Sequence, residues 1–560
     1  MNKKLLTILL IPLFITGCNK GDTSSSSTTG DDVSGSTVDV DISDDTISST
    51  FSLVNDDTSS AISGSNGVYI ISSAGNYTAS GKLENGQIYV NVGDDDDVEL
   101  TLDDVSISNS SVSPIFVNNC SDFDIKVKKK TTNYIYDNRS TDYSSSSDDT
   151  VGKGAIYVAD GDLKIKGQGT LSVVSLANSG IHGKDNVTVK NVTMLIKAVN
   201  NGIRGNDKVT IEEGPTLGIV AGNNGIRTSN SDVSSSGNQR GYIYINGGTI
   251  TINSYGDGID AAYAVSVGTS TDSDSVTYTP TIDIYTNIYS SYSYSEVTSG
   301  RIMRGGPGGN PGGQGGGFNG GGMNGGSSAE KADDSAKAIK ANEAIDITAG
   351  EIFTYTYDDG LHTNNEDKLD SGKSPNANIN ISGGSLKMKA SDDAIHADGT
   401  LNITGGTIYI SESHEGLEGN KINIVGGNIT VFADDDGVNA SNSITVSAGY
   451  LDVTVNPNGD TDGIDSNGTY TQSGGIVITR GPNNQNSSAL DADGSKSISG
   501  GTIIILGYGS ISRGSGVNSY SLSLHSSGSH TVKINGTSYT FTNSYSYGQT
   551  LCYSSVSVSA

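Results

Sequence analysis

The stretch "SDDAIHADGTLNITGGTIYI", from Ser391 to Ile410, contains the two elements that decide the fold. Its second half alternates apolar and polar residues on either side of a Gly-Gly pair, which predicts two short strands joined by a tight corner. Alternation with a period of two places the apolar side chains on one face of each strand. Its first half places a small residue and an aliphatic residue, Ala394 and Ile395, directly after two aspartates. We call this small–aliphatic pair the anchor.

The anchor returns along much of the chain. Successive anchors begin at Gly180, Gly202, Gly225, Gly258, Ala338, Gly360, Ala394, Gly416, Gly437, Gly463 and Ala489. The uninterrupted spacings are 21 to 23 residues, and a repeat of this length with about three short strands is typical of one coil of a parallel β-helix. The pattern lacks the helical segment of a leucine-rich repeat and is too short for a propeller blade. We therefore predict an all-β chain that forms a right-handed parallel β-helix (a solenoid).

Composition supports this class and excludes one kind of partner. The chain has 560 residues, with 75 glycines, 27 tyrosines, 9 prolines and no tryptophan. Acidic residues outnumber basic ones by 62 to 33, which gives a formal net charge of −29. Because a protein that binds nucleic acid needs a basic surface, we exclude nucleic acid as a partner. The acidity is compatible with bound cations or with solubility alone.

The N-terminus predicts secretion and a lipid anchor. Residues 1–17 combine Lys3 and Lys4 with an apolar run too short for a permanent transmembrane helix, as in a secretory signal peptide. The following "ITGC" resembles a bacterial lipobox, in which Cys18 is acylated after cleavage. Residues 18–50, rich in Ser, Thr and Asp, then form a flexible tether. These features predict a lipid-anchored lipoprotein of the bacterial cell envelope, exposed at the surface and attached to the membrane only through its N-terminus.

We expect residues 51–560 to form the β-helix domain, with one large interruption. Residues from about 264 to 334 contain a Ser/Tyr-rich stretch and then the run "RGGPGGNPGGQGGGFNGGGMNGG". Because this run offers too little apolar surface for a core, it predicts a flexible insertion. Cys120 and Cys552 lie far apart in the sequence and therefore at opposite ends of an elongated solenoid. We expect two buried, inert thiols rather than a disulfide.

Acidic residues recur on both sides of the anchor, and stacking brings equivalent positions into columns along the axis. If the aliphatic anchor residue points inward, both of its neighbours point outward and form two adjoining acidic columns. Carboxylates about 4.8 Å apart repel each other, and Ca²⁺, which takes six to eight oxygen ligands, would relieve this repulsion. The alternative is that these acids are hydrated turn residues. The candidate Ca²⁺ ligands are Asp257, Asp260, Asp358, Asp359, Asp392, Asp393, Glu415, Glu418, Asp434, Asp435, Asp436, Asp462, Asp465 and Asp491.

Basic residues and histidines replace the acids in some coils. Arg204 and Arg227 follow the anchor in two early coils and would be neighbours, which suits either a carboxylated ligand or solvated arginines. The asparagine before each of these two anchors predicts a structural ladder. His362 and His396 share a column and are candidate ligand-binding residues. A transition-metal site at this histidine pair remains an alternative.

Several of these stretches together resemble a known bacterial family. "AKAIKANEAIDITAGEIF" from Ala336, "SDDAIHADGTLNITGGTI" from Ser391 and "SGIHGKDNVTV" from Ser179 resemble carbohydrate-binding domain-containing proteins, extracellular parallel β-helices related in fold to pectate lyases. The resemblance covers residues from about 50 to 540. It implies calcium bound along the helix and affinity for plant-type polysaccharides, including cellulose and acidic pectic chains. The early coils lack the Asp-Gly-Ile pattern of the family, which argues against calcium sites near the N-terminus.

Three functions follow from these features. The first, which we favour, is a monomeric surface protein that binds polysaccharide through a Ca²⁺-bearing face. The second is a Ca²⁺-dependent pectate-type lyase, for which Lys340 is the candidate base, unless this lysine pairs with the acidic surface. The third is a non-catalytic adhesive or structural spacer. Because tyrosine is abundant but tryptophan is absent, an acidic glycan is favoured over crystalline cellulose.

Overall fold

The fold is described by a computed structural model over residues 47–140, 149–287, 335–365, 368–459, 461–484 and 486–560. The described residues form 47 strands, and helical structure in these ranges is confined to one 3-10 turn, Asp149–Val151. The all-β prediction is therefore confirmed. No helix within these ranges is long and apolar enough to span a membrane. The predicted signal segment, Cys18 and most of the tether lie outside the described residues.

The strand that carries the anchor pairs in parallel with the equivalent strand of the next repeat. Its register matches anchor to anchor, for example Ile203 with Ile226 and Ile395 with Leu417. These four aliphatic side chains are fully buried, as expected for an inward anchor. The strands of this first column are Val68–Ile71, Gln87–Asn91, Ile115–Asn119, Gly154–Val158, Ser179–Gly183, Ile203–Gly205, Ile226–Arg227, Ile259–Ala261, Ile339–Ala341, Leu361–Thr363, Ile464–Ser466 and the N-terminal parts of Ile395–Ile403, Leu417–Ile424 and Val438–Val446.

A second column of parallel strands follows the first and, in the repeats with a Gly-Gly pair, ends at that pair. Its apolar residues alternate with polar ones, as in Asn378–Ile381, where Ile379 and Ile381 are buried. The three long strands Ile395–Ile403, Leu417–Ile424 and Val438–Val446 enter it with their C-terminal parts. Its other strands are Gly75–Leu83, Val98–Asn109, Asp122–Val127, Asp162–Gly167, Asn186–Lys190, Lys208–Ala221, Tyr242–Ser254, Ala264–Val267, Ala344–Ile347, Thr469–Gln472, Lys496–Ile498 and Ser512–Arg513.

The two glycines of the corner pair are each required for a different reason. In "NINISGGSLKM" the second glycine, Gly384, has a φ of +82°, which residues with a side chain rarely adopt. A Cβ on the first glycine, Gly383, would lie 2.2 Å from the carbonyl oxygen of Thr348 in the previous coil. The same two constraints recur at Gly405 and Gly406. The pair therefore allows successive coils to turn and to stack closely at this corner.

The third column leads from the glycine corner back to the next anchor. Equivalent strands of successive coils pair in parallel, with Ile352 beside Leu386 and Leu386 beside Ile408. Inward residues of the three columns form one continuous buried core. Its strands are Thr132–Asp137, Thr170–Ser175, Thr193–Ala198, Thr281–Thr286, Glu351–Thr356, Ser385–Ala390, Thr407–Glu412, Asn428–Phe432, Tyr450–Thr454, Ile476–Arg480, Thr502–Leu506 and the C-terminal parts of Gly75–Leu83, Val98–Asn109, Lys208–Ala221 and Tyr242–Ser254.

The predicted boundary of the large insertion is wrong at its N-terminal side. Ala264–Val267 and Thr281–Thr286 pair in parallel with strands of the coils on both sides. A small hairpin of Ser270–Thr271 and Thr277–Tyr278 lies between them in the sequence. The Ser/Tyr-rich composition of this region hid the alternation of "TIDIYT", which completes a coil. The Gly-rich run lies within residues 288–334, outside the described residues.

The N-terminal end departs from the parallel pattern. Ser52–Asn55 pairs antiparallel with Ser60–Ala61 and with Gly75–Leu83. This arrangement places a short hairpin strand beside the first strand of the second column. Phe51 and Leu53 from this segment are buried in the main core, so the segment acts as a cap on the stack.

The C-terminal end is also antiparallel, which corrects the prediction that one parallel stack runs to residue 560. Alternation is the same in parallel and antiparallel strands, so the sequence pattern did not separate the two. Outward residues of the last third-column strands, including Ile478 and Ile504, pack with Phe541 in a second core. Cys552 lies in this core and Cys120 in the main one, and both are free thiols, as predicted. The strands of this end are Asn518–Ser519, Gly528–Ile534, Thr537–Asn543, Thr550–Ser554 and Val558–Ser559.

Candidate functional site

The residue after each anchor forms an outward column, as the sequence predicts. Strand register places these residues side by side from coil to coil. Apart from the first of them, which is buried, they are half-buried at the surface. We call this series the outer column, and it consists of His182, Arg204, Arg227, Asp260, Lys340, His362, His396, Glu418, Asn439 and Asp465.

The residue before each anchor also stacks, but in several coils it does not face solvent as predicted. Asp257 and Asp359 are each 3% exposed, and Asp393 is 7% exposed. The Asp393 N–H donates to Asp359 Oδ1 at 3.1 Å, and the Glu415 N–H donates to Asp393 Oδ1 at 3.2 Å. A buried backbone N–H needs an acceptor, and these carboxylates supply it at the corner. We call this series the inner column, and it consists of Asp257, Lys337, Asp359, Asp393, Glu415, Asp436 and Asp462.

The acids around Asp359 form ion pairs with a lysine of the protein. Lys337 Nζ lies 2.6 Å from Asp358 Oδ2 and 3.1 Å from Asp359 Oδ2, and His362 Nδ1 lies 2.5 Å from that second oxygen. Burial raises the pKa of Asp359, but the hydrogen bond with His362 and the charge of Lys337 outweigh it and lower the pKa to about 2. The exposed Asp392 adds a third carboxylate oxygen within 4.8 Å of the other two. Charge balance at this group therefore rests on Lys337.

His396 has the equivalent role one coil later. Its Nδ1 lies 3.1 Å from Asp393 Oδ2 and 2.9 Å from Glu418 Oε2, and its Nε2 lies 3.3 Å from Asp398 Oδ1. Burial lowers the pKa of His396, but the hydrogen bonds with these three carboxylates outweigh it and raise the pKa to about 12. The imidazole ring is therefore positively charged at neutral pH. This cluster is an ion-pair network centred on one histidine.

The two histidines of the outer column lie in contact, with ring centroids 4.6 Å apart. Ligand atoms of Asp359, His362 and His396 lie within 4.8 Å of one another, as a metal site would require. A histidine must be neutral to bind a metal ion, however, and His396 holds its proton strongly. The geometry favours ion pairs over the transition-metal alternative at this position.

Four acids of the next coils, Glu415, Asp436, Asp462 and Asp465, differ from those around Lys337 and His396. No lysine or arginine among the described residues forms an ion pair with Glu415, Asp436, Asp462 or Asp465. Burial, followed by repulsion from Glu418, raises the pKa of Glu415 to about 8. Burial and repulsion from neighbouring aspartates also raise the pKa of Asp436 to about 7 and that of Asp462 to about 6. These coils hold mutually repelling carboxylates, the arrangement that a hard divalent cation relieves.

The three aspartates at 434–436 differ in whether they lie near other possible metal ligands. Asp434 is exposed and belongs to none of the metal-like groups formed by described residues. Asp435 lies beside His414, whose Nδ1 is 3.7 Å from Asp435 Oδ2. Ligand atoms of His414, Glu415 and Asp435 lie within 4.8 Å of one another. Asp435 is therefore brought to the inner column, whereas Asp434 is not.

Two other predicted ligands already have protein partners. Asp257 Oδ1 accepts hydrogen bonds from Ser335 Oγ at 2.7 Å and from the Lys337 N–H at 2.8 Å. Burial, together with a neighbouring acid, raises the pKa of Asp257 to about 6. Asp491 Oδ1 pairs with Lys496 Nζ at 2.6 Å. Neither acid depends on a bound ion for its contacts.

The adjoining arginines of the early coils also contact other protein side chains. Arg204 donates from Nε to Asn206 Oδ1 at 3.1 Å and from Nη2 to Ser229 Oγ at 3.0 Å. Burial, followed by repulsion from Arg227, lowers the pKa of Arg204. Arg227 Nε lies 3.3 Å from Asp260 Oδ2. The structure places the two arginines side by side as predicted. Arg204 donates to protein groups, whereas Arg227 Nε faces Asp260 without forming a hydrogen bond.

Asparagines form a ladder in the early coils. Asn200 Nδ2 donates to Asn178 Oδ1 at 3.1 Å, and Asn223 Nδ2 donates to Asn200 Oδ1 at 3.2 Å. One position later, Asn201 Nδ2 donates to Ser179 Oγ at 3.4 Å. The asparagine ladder therefore lies one position before the predicted one, because Asn224 Nδ2 donates to Asp260 Oδ2 at 2.9 Å instead of to Asn201.

Lys340 lies in the outer column between Asp260 and His362. No described residue forms an ion pair with it, contrary to the reading in which it pairs with the acidic surface. The lysine that does so is Lys337, which the sequence reasoning missed although it stands before an anchor, where other coils have acids. Asp398 was also missed, because it lies two residues beyond the outer column.

Comparison with known proteins gives two partial similarities. A carbohydrate-binding domain-containing protein of Acetivibrio thermocellus is 32% identical over 145 residues, which are 26% of this chain and 50% of the relative. The chain thus spans about half the length of that relative. A solved structure, described as the polysaccharide lyase-like protein from C. thermocellum in a gadolinium derivative, is 29% identical with a TM-score of 0.35. That similarity covers 40% of this chain and 84% of the solved chain.

A family profile covers far more of the molecule. The profile of carbohydrate-binding domain-containing proteins matches residues 63–377, 370–416 and 417–547. The matched ranges include the inner and outer columns and most of the antiparallel C-terminal end. The chain therefore belongs to the family of carbohydrate-binding domain-containing proteins.

Proposed function

We propose that this protein binds acidic polysaccharide of the pectic type at a bacterial cell surface, with Ca²⁺ held along the coils from Glu415 to Asp465. Family membership supports carbohydrate binding in general. The observation that carries the Ca²⁺ part is a difference between coils. Lys337 and His396 pair with acids around them, whereas no described lysine or arginine forms an ion pair with Glu415, Asp436, Asp462 or Asp465.

The residues that would hold Ca²⁺ are Glu415, Asp436, Asp462 and Asp465, with Asp435 beside them. They offer carboxylate oxygens, which are the hard ligands that Ca²⁺ prefers. Bound Ca²⁺ would supply positive charge that the protein shares with the uronate groups of a glycan. Without it, these partly buried carboxylates repel one another or retain protons.

Placement at the cell surface rests on the N-terminal sequence. We infer that the three parallel columns wind as the right-handed β-helix that the repeat length indicates, with coils about 4.8 Å apart. Acylated Cys18 would anchor the chain to a membrane, and residues 18–50 would hold the domain away from it as a monomer. Incorporation of a radiolabelled fatty acid, lost in Cys18→Ala, tests the anchor.

The direct test is calorimetric titration of polygalacturonate into the full chain with Ca²⁺ and with EGTA. We expect binding with Ca²⁺ and an affinity at least about tenfold lower in EGTA, a loss of about 1.4 kcal/mol. Cellohexaose tests the cellulose-type alternative in the same experiment. No binding of either glycan in Ca²⁺ would contradict the proposal and favour an adhesive or structural spacer.

A second candidate function is a Ca²⁺-dependent pectate-type lyase with Lys340 as base. The observation that favours it is that Lys340 has no ion-pair partner among the described residues, beside His362 in the outer column. In β-elimination the base removes the C5 proton of a uronate, the electrons form the C4–C5 double bond, and the C4–O bond breaks. Ca²⁺ would withdraw charge from the uronate carboxylate.

The lyase test measures the ultraviolet absorbance of the unsaturated uronate product. Wild type is compared with Lys340→Ala and with Lys421→Ala, which removes an exposed lysine of the second column. A rise in absorbance that Lys340→Ala abolishes and Lys421→Ala retains would support the lyase. Flat absorbance from a wild-type chain that binds polygalacturonate would reject it and leave the binding function.

A further inference from the structure

The third column carries aromatic rings and lysines on its outward face in four successive coils. They alternate with buried residues of the same strands, such as Leu386 and Ile408, so their side chains point away from the core. None of the residues predicted from the sequence as ligands lies among them. We call this patch the aromatic–lysine face, and it consists of Phe353, Tyr355, Lys387, Lys389, Tyr409 and Phe432.

Strand register joins these side chains into one patch. Phe353 pairs with Lys387, and Lys387 pairs with Tyr409, in three adjoining coils. The ring centroids of Tyr409 and Phe432 are 6.2 Å apart. Between Phe353 and Tyr409 the patch therefore alternates ring, ammonium and ring along the axis, at about 4.8 Å per coil.

The patch is open to solvent. Tyr409 is 43% exposed, and Lys387 is exposed on the neighbouring strand. Phe353, Tyr355 and Phe432 are half-buried beside them, and an exposed ring bordered by further rings and polar groups suits an interaction site. The fully buried residues between the outward ones hold the strands in place, so the rings project from a rigid sheet rather than from a loop.

The six side chains of the patch include two lysines and no acid, although Asp283 is the neighbour of Phe353 in the coil before. The protein has a formal net charge of −29, yet one strand of the patch places two lysines outward. Lys389 pairs with Glu412 at 2.6 Å and lies 5.0 Å from the ring centroid of Tyr355. No residue in the described ranges forms an ion pair with Lys387. An exposed, unpaired ammonium between two rings is complementary to an anionic ligand with apolar faces.

We propose that the aromatic–lysine face is a subsite for a uronate-containing polysaccharide, separate from the Ca²⁺-bearing coils of the outer and inner columns. This inference rests on the proposed function and names a second surface that carries it out. The apolar faces of successive pyranose rings stack on Phe353 and Tyr409, and Lys387 pairs with a uronate carboxylate. Because a lysine supplies the positive charge, binding at this face does not require Ca²⁺.

The test is calorimetric titration of polygalacturonate and of neutral cellohexaose into the full chain, in Ca²⁺. We expect the double variant Phe353→Ala/Tyr409→Ala to bind polygalacturonate about tenfold more weakly, since each stacked ring contributes about 0.5–1.5 kcal/mol beyond its buried area. Lys387→Ala should weaken polygalacturonate binding about fivefold and leave cellohexaose unaffected. Tyr409→Phe keeps the ring and should bind as wild type.

Controls separate loss of this face from loss of the fold or of the function. Tyr545→Ala removes a ring that is equally exposed, at 43%, but lies in the C-terminal end, and it should bind as wild type. An unchanged affinity in Phe353→Ala/Tyr409→Ala and Lys387→Ala, with wild-type binding intact, would overturn this inference and leave the proposed function standing. A wild-type chain that binds no polygalacturonate would overturn both. Equal loss of both glycans in Lys387→Ala would overturn the assignment to uronates.

Discussion

The coils from Lys337 to Asp398 and the coils from Glu415 to Asp465 carry similar acidic patterns but balance them differently. In the first region a lysine and a histidine pair with the acids, and the pKa of Asp359 falls to about 2, although burial raises the pKa of Asp393 to about 7. In the second region no described lysine or arginine pairs with Glu415, Asp436, Asp462 or Asp465, and the pKa of Glu415 rises to about 8. A repeated motif thus does not repeat its chemistry, because the charge state of each acid depends on residues one coil away.

The largest effect is expected from removing the cation of the first region. Lys337→Met removes the cation that pairs with Asp358 and the buried Asp359, which keeps only its ion-pair contact with His362, and breaking a buried ion pair on one side costs about 3–5 kcal/mol. We expect the free energy of unfolding in urea to fall by about this amount. The matched control Lys421→Met alters an exposed lysine and should change it by less than about 0.5 kcal/mol. Equal effects would refute the ion-pair account of this region.

The second region should make the metal-free protein less stable as the pH rises from about 4.5 to 6.5. Folded Glu415 and Asp436 keep their protons up to a pKa of about 8 and about 7, whereas their ordinary values are 4.5 and 3.8. The folded state thus binds more protons in this window, so stability present at low pH is lost on the way to the folded pKa.

The slope has an upper limit of about 1.4 kcal/mol per group and pH unit, which solvent screening reduces. Ca²⁺ should flatten the profile because it favours the ionised carboxylates. Urea unfolding at a series of pH values, with Ca²⁺ and with EGTA, measures both curves. Stability that increases with pH in EGTA across this window would disprove the assignment.

Replacing one aspartate by asparagine should raise the free energy of unfolding in the second region and lower it in the first. In EGTA, Asp436→Asn removes repulsion yet keeps the oxygen that accepts the Asp462 N–H, now at 2.7 Å. We expect the free energy of unfolding to rise by about 1 kcal/mol. Asp359→Asn at the matched position loses its pairing with Lys337 and should be destabilising. Thermal or urea unfolding measures the stability change of each variant. Changes in the same direction would argue against the difference in charge balance between the two regions.

The smallest effect is expected in the early coils, where amides replace acids. Asn200→Ala removes hydrogen bonds to Asn178 and Asn223, which contribute about 1 kcal/mol. We expect a loss of this size in urea unfolding that is the same with Ca²⁺ and with EGTA. A Ca²⁺-dependent loss would mean that metal also acts in these coils.

The stacking of the coils could be predicted from the sequence because each coil repeats the same local signals. Alternation around Ile379 and Ile381 identifies a strand face, and the Gly-Gly pair that contains Gly384 identifies a corner that only glycine accommodates. The anchor fixes the register between coils. These signals lie within one repeat, so they can be identified without knowing which residues of the adjoining coils lie beside them.

The balance of charges could not be predicted in the same way. The direction of Asp359 and Asp393 is set at a corner, where the strand period no longer applies and a backbone N–H needs an acceptor. The pairing of Lys337 with Asp358 joins residues of different coils. The aromatic–lysine face was missed because Phe353, Tyr409 and Phe432 are separated by more than twenty residues in sequence and meet only when the coils stack.

Calorimetric titration of Ca²⁺ into the EGTA-treated full chain tests the central contrast most directly. Two double variants, Asp436→Asn/Asp462→Asn and Asp358→Asn/Asp392→Asn, are compared with wild type. Ca²⁺ binding that the first variant loses and the second retains is the predicted result. Binding that survives the first variant and is lost in the second would place the ion in the coils that already hold a lysine, and would contradict the account.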